Sequence, residues 1–280
     1  MLHSSFVANN ARISPAVTTS VLEPLNPRSI VLSVLLGSHP PQMPVHRILE
    51  FTSLFGLADG TVRTALSRMV GAGEVANDEG TYRLAGRLVE RQAQQDAGRR
   101  DPPDDWDRTW WTVAIVSHRR SMADRRAFRA GAVGARLGEL RPDLWLRPAN
   151  LSIPTDLPDA LITRGSMIAG DEQRLVGQLW DLDGLQIRAD AHRRELDDAA
   201  IRLDAGDDRS LAETFVTLAA AQQFLRVEPQ LPAELSPDTS GAAVRAHYAD
   251  VVAAFQARLS EFFARRQPAS DLPRVSTTAP

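Results

Sequence analysis

Arg63, Thr64, Ser67 and Arg68, with Thr61 just ahead of them, are spaced so that a helix would carry them on one face, Arg63 and Ser67 one turn apart and Thr64 and Arg68 likewise. A guanidinium pairs in bidentate fashion with the edge of guanine, and a hydroxyl serves a phosphate or a base. Val62, Ala65, Leu66, Met69 and Val70 fill positions i, i+3, i+4, i+7 and i+8, the apolar stripe that seats such a helix on a core. Apolar behind and Arg-bearing in front is what a helix needs to lie in the major groove of duplex DNA. Asp59 stands just before it, where a carboxylate is expected to cap a free backbone N–H. The same pattern also fits a three-helix unit whose Arg-bearing face is only solvated surface.

Other elements must position that helix. Ile30, Val31, Val34 and Leu35 predict a first helix. Val45, Ile48, Leu49, Thr52 and Phe55 predict a second that stops at Gly56, with Leu57-Ala-Asp59 as the turn between helices. Glu74-Val-Ala76 and Thr81-Tyr-Arg-Leu84 flank the tight-turn sequence Asn77-Asp-Glu-Gly80 and predict a two-stranded wing. Arg83 on that wing is the expected phosphate contact, whereas Asp78 and Glu79 at its tip would repel phosphates.

The expected fold class is α+β, with an N-terminal winged helix-turn-helix, a middle ferredoxin-like β-α-β domain and a C-terminal α-helical domain. Residues 1–28 read as a disordered arm and 29–97 as the DNA-binding domain. The charged, Pro-Pro stretch 98–105 reads as a linker. The middle domain is expected over 106–170, with strands at Trp110–Val116, Leu144–Leu146 and Ala160–Ile168 and a helix over Met122–Leu137. Leu175, Leu179, Leu182 and Leu185 open a helical effector and dimerisation domain over 171–267. Its further helices are expected at Ser210–Val227 and Gly241–Arg266, ahead of a disordered tail, 268–280.

Composition narrows the function classes. The 280 residues include no Cys, which removes disulfides, thiol nucleophiles and thiolate metal sites. The net charge is −3, yet residues 28–100 hold 9 Arg against 7 Asp and Glu. Residues 171–280 hold 12 Arg against 18 acids, so the N-terminal segment is the better partner for a polyanion. No apolar run approaches the length of a membrane span, and no signal-peptide pattern opens the chain; a cytoplasmic protein without membrane contact is expected. The six His residues include no pair at zinc-ligand spacing, and neither a metal nor a cofactor is expected. No phosphate loop or nucleophile elbow is present, so no enzyme is expected. A ferredoxin-like nuclease would need a carboxylate near the end of its first strand, and after Val116-Ser-His-Arg119 no acid appears until Asp124. A winged-helix protein-interaction module that does not bind DNA is the other reading of the pattern.

Five segments, in order, resemble the PaaX family, the phenylacetic-acid degradation repressors and their relatives, over Ser29 to about Ala264. They are Thr61-Val-Arg-Thr-Ala-Leu-Ser-Arg68, Trp106-Asp-Arg-Thr-Trp110, Pro142-Asp-Leu-Trp-Leu-Arg-Pro148, Trp180-Asp-Leu-Asp183, and Leu231-Pro-Ala-Glu-Leu235 with Arg245. The resemblance implies a bacterial transcriptional repressor that acts as a homodimer on the double-stranded operators of catabolic genes. It also implies release of DNA by a small-molecule effector, in the founding members an aryl-CoA thioester. Trp180, Arg245 and His247 are the candidate effector contacts, with core packing for Trp180 and surface ion pairs for the others as the plainer readings. The chain departs from the family pattern at Pro40, Pro41 and Pro44, where relatives carry Gly-Gly and Trp. It departs again at the acidic wing tip, at Gln222 and Gln223 in place of Arg, at Glu228 in place of Asp, and at Thr239-Ser-Gly241 in place of a Trp-bearing turn.

Overall fold

The computed structural model describes residues 26–103, 105–117, 120–235 and 240–266, in which helices combine with two antiparallel sheets. The expected tail, and all but the end of the expected arm, lie outside these residues. The first helix starts earlier than its apolar pattern suggests. The Asn26 side chain accepts from Ser29 N at 2.8 Å and Pro27 takes the first helical position, so α1 is Pro27–Gly37.

A short strand, β1 (Gln42–Pro44), leads into α2 (Val45–Ser53), α3 (Asp59–Gly71) and the hairpin β2 (Val75–Asp78) and β3 (Thr81–Leu84). Strand order in this sheet is β1-β3-β2. The hairpin closes through Glu79 and Gly80, both at positive φ (47° and 85°), as a twist-matched two-residue turn requires. Asn77 Oδ1 accepts from Gly80 N at 3.0 Å and fixes the turn.

Helix α4 (Arg87–Arg99) escapes an apolar-periodicity test because its buried face is Leu88, Gln92, Gln95 and Gly98. Gln92 Nε2 donates to the carbonyls of Leu36 and Ser38 at 3.1 and 2.9 Å, satisfying the C-terminal end of α1. Gly98 and Arg99, expected in a linker, form the last turn of α4. A Cβ on Gly98 would lie 2.7 Å from the Leu225 carbonyl oxygen, so only glycine lets α4 approach α8 (Arg209–Val227) this closely. Gly98→Ala is therefore expected to cost about 1–3 kcal/mol through overpacking. Urea unfolding checks this, and a loss below about 0.5 kcal/mol, the range of indifferent surface changes, would contradict the close approach.

The second sheet comprises β4 (Thr109–Ile115), β5 (Gly138–Arg141), β6 (Leu144–Pro148) and β7 (Ala160–Ser166) in the order β5-β6-β4-β7. Alternation along the strands builds two layers. Val113 and Trp145 face Phe128 and Ala132 of α5 (Met122–Gly134). Trp110 and Leu146 face Val176 and Leu179 of α6 (Glu172–Leu179). The leucines at 175, 179, 182 and 185 belong to two helices, because the chain breaks at Trp180. Asp181 Oδ1 then accepts from Gly184 N at 3.1 Å and starts α7 (Leu182–Asp204).

Helices α7, α8 and α9 (Ser240–Arg266) pack together and share one apolar core with α1, α2 and α3. The Phe51 and Phe215 rings meet edge-on at 4.9 Å across that boundary. Where α4, the β5-β6-β4-β7 sheet and α9 converge, three guanidiniums are buried. Arg147 donates to the Pro148, Ala135 and Pro229 carbonyls and to Asn150, and burial pushes its pKa down to about 9. Arg136 donates to the Glu228 and Leu225 carbonyls. Arg245 donates to Asp101 at 2.8 Å and to the buried Glu228 carboxylate at 2.9 Å. Gln230 closes the junction by donating to the Arg100 carbonyl at 2.8 Å.

Candidate nucleic-acid interface

Val62, Leu66 and Met69 seat α3 on α1 and α2, with Ile30, Val31, Ile48 and Phe51 in the same core. Ala65 is half-buried and Val70, in the last turn, is 39% exposed, so the apolar stripe is narrower than its spacing suggests. The cap also differs. Asp59 is the first residue of α3, Ala58 precedes it, and no side chain caps the helix; Asp59 instead complements the positive end of the helix dipole.

Thr61, Arg63, Thr64, Ser67 and Arg68 are all exposed on α3, and Arg83 is exposed on β3. Arg63, Arg68 and Arg83 make no ion pair or side-chain hydrogen bond with another described residue. Thr64 Oγ1 donates to the Gly60 carbonyl at 2.8 Å, which leaves its lone pairs for an outside donor. Gln42 of β1 is the register partner of Arg83 and widens the wing by one strand. Glu74 accepts from Arg28 Nε at 2.9 Å, tying the root of the wing to the start of α1; that hydrogen bond, with the guanidinium charge, holds the Glu74 carboxyl below its ordinary value. Asp78 and Glu79 are exposed at the tip. The C-terminal end of α9 docks on α2, through Arg47 to the Phe263 carbonyl and Arg266 to Ser53 Oγ.

The three candidate effector residues are not brought together. Trp180 is half-buried against the apolar layer under α6. Arg245 is spent on Glu228 and Asp101, an ion pair in the interior and not the surface one expected. His247, on another face of α9, meets Asp197 of α7 at 2.7 Å. Trp106, Trp110 and Trp145 are core residues, and Trp111 Nε1 donates to the Leu151 carbonyl. Among the described residues no three His, Asp or Glu side chains gather as a metal site, and no helix is long and apolar enough to cross a membrane. His118 and Arg119 lie outside the described residues. Asp124, the first acid after them, accepts from Ser121 N at 3.0 Å and serves as part of a helix cap.

Sequence reading missed a cavity of about 670 Å³ between the end of α1, β1, α4, α8 and α9. Its lining is drawn from four stretches remote in sequence, 33–43, 91–99, 215–223 and 248–259. The one signal that pointed to it was the departure of Pro40, Gln222 and Gln223 from the family pattern, since all three line its wall.

A family model described as PaaX-like protein matches residues 26–88, which spans α1 to the start of α4. No curated protein matches the chain significantly. Among solved structures, an uncharacterized protein of Mycobacterium tuberculosis, Rv0674, is similar at 36% identity and a TM-score of 0.65, over 85% of this chain and 99% of that one. With the helices and hairpin of residues 27–84 in place, and a relative this similar along nearly its whole length, the chain belongs to the PaaX-like family.

Proposed function

We propose that this transcriptional regulator binds operator DNA through a winged helix-turn-helix, with α3 in the major groove and β1-β3-β2 as the wing. The observation that carries the reading is the front of α3, where Arg63, Ser67 and Arg68 are exposed and have no side-chain partner among the described residues, while Val62, Leu66 and Met69 behind them are buried. Arg63 and Arg68 would read guanine edges, and Arg83 would fix register on a phosphate. The order β5-β6-β4-β7, with the loop 149–159 in place of a helix in the second crossover, supports reading the middle unit as ferredoxin-like. Family membership supports a cytoplasmic homodimeric repressor of catabolic genes, released by a small-molecule effector, with an acyl- or aryl-CoA thioester as the family precedent. A dimer would place two half-sites about one helical turn apart.

A mobility shift titrated with salt tests the reading. Binding through 6–10 phosphate contacts should weaken about 10³–10⁵-fold between 50 and 200 mM salt, as counterions are released. The exposed acidic pair Asp78 and Glu79 favours a second reading, a winged-helix module that binds protein. Absence of any shift at 50 mM salt would decide for that module.

A further inference from the structure

We infer that the cavity between the N-terminal helices and the C-terminal helices is a binding site for an amphipathic monocarboxylate that bears a hydrogen-bond donor near its head group. At about 670 Å³ it falls within the range of sites that enclose small molecules. Its apolar wall comes from Leu36, Met43, Phe215, Leu218, Phe255 and Leu259. Two guanidiniums, Arg91 and Arg99, stand on the same wall, and no carboxylate of a described residue lines it. Arg91 is exposed and makes no ion pair with a described residue, whereas Arg99 already holds Asp96 at 2.9 Å. Arg226 next to Arg91 is kept below its ordinary pKa, by burial first and by the Arg91 charge second. That balance suits one carboxylate; the several phosphates of a CoA thioester would need more cations than the wall carries.

Two side chains of the wall each bury a polar atom that has no hydrogen-bond partner among the described residues. One is a donor, Arg99 Nε, and the other an acceptor, Gln222 Oε1, on a side chain that is only 7% exposed. Gln222 donates its Nε2 to the Gln95 carbonyl at 3.3 Å, so reversing the amide would set Oε1 against that carbonyl oxygen and leave both ends unpaired. Unpaired buried polar atoms are costly, and once these side chains turn toward the cavity a ligand carboxylate at Arg99 with an N–H or hydroxyl at Gln222 would satisfy both. An N-acyl amino acid carries all three features: an apolar chain, an amide N–H and a carboxylate.

The site is placed to act on DNA binding, a consequence that rests on the function proposed above. Gln42 and Met43 belong both to the cavity wall and to β1, where they pair in register with Arg83 and Tyr82 of the wing. A ligand that holds β1 in one position has a different affinity for the DNA-bound and free conformations whenever β1 differs between them.

Calorimetry on the DNA-free full chain tests the site with N-decanoylglycine, its methyl ester, dodecanoate and decanoyl-CoA. The acid should bind about tenfold or more tighter than the ester, which lacks the charge, and several-fold tighter than dodecanoate, which lacks the N–H. Arg91→Gln should close most of the gap between acid and ester, and Ala219→Trp, at an exposed wall position, should remove binding without unfolding the chain. Equal affinities for acid and ester, tighter binding of decanoyl-CoA, or no binding by any of the four would overturn the assignment. Operator affinity measured with and without N-decanoylglycine then tests the coupling, and an unchanged value overturns it. A chain that shifts no DNA in salt titration defeats the proposed function alone, because the calorimetry is independent of DNA.

Discussion

Replacing Arg63 and Arg68 together by alanine is expected to remove sequence-specific DNA binding while leaving the fold intact. Each bidentate contact to a guanine is worth about 1–3 kcal/mol of discrimination, so two lost from each recognition helix amount to about 2–6 kcal/mol per half-site. Both side chains are exposed and neither pairs with a described residue, so the melting temperature should move little. Arg83→Ala should behave differently. It should weaken specific and random duplex alike and lower the salt slope by about one, the mark of a phosphate contact. Competition of operator against random duplex for the three proteins separates these roles. Unchanged specificity in the double variant would remove α3 from the interface.

Glu228→Gln is expected to destabilise the protein by about 3–5 kcal/mol, the range seen when one partner of a buried ion pair is removed. Glu228 is 8% exposed and is the buried carboxylate facing Arg245, while Arg136 and Arg147 lie close enough for its charge to offset part of their desolvation. Asp101, the other acid on Arg245, is 74% exposed in its side chain and well screened by water, so it compensates weakly. The cost should appear in chemical denaturation as a lower midpoint. Exchanging both members for apolar residues, Glu228→Leu with Arg245→Met, should recover part of the loss, since a buried pair replaced by packing is often neutral. A Glu228→Gln loss under about 1 kcal/mol would mean that the junction carries no energetic weight. Its partners span α4, the second sheet and α9, so the effect also measures how firmly these parts are joined.

The sequence made the helices and hairpin of residues 27–84 legible because their signals are local. The stripe on α3, Gly56 before it and Asn77-Asp-Glu-Gly80 in the hairpin each act within a few residues. Helices α8 and α9 were legible as long stretches of helix-forming residues without an interior proline. Local rules failed where tertiary contacts decide. Strand β1 is three residues bounded by prolines and exists because β3 offers it an edge. Helix α4 buries glutamines and a glycine, which no apolar pattern detects. Trp180 and Asp181 end one helix and start the next inside what reads as a single leucine series. The site divides in the same way. The front of α3 follows from spacing alone, whereas Arg245 reads as an effector contact or a surface ion pair although Glu228 and Asp101, 17 and 144 residues away, hold it in the interior. The cavity depends on four distant stretches meeting, and no local pattern encodes that.

Selection of bound sequences from a random duplex library by the purified full chain is the most direct test of the central claim. The expected result is an inverted repeat with half-site centres about one helical turn apart and a guanine at a fixed place in each. That guanine should lose its preference when Arg63→Ala or Arg68→Ala is the bait. No enriched sequence at low salt, or the same motif recovered by the wild type and both variants, would contradict it.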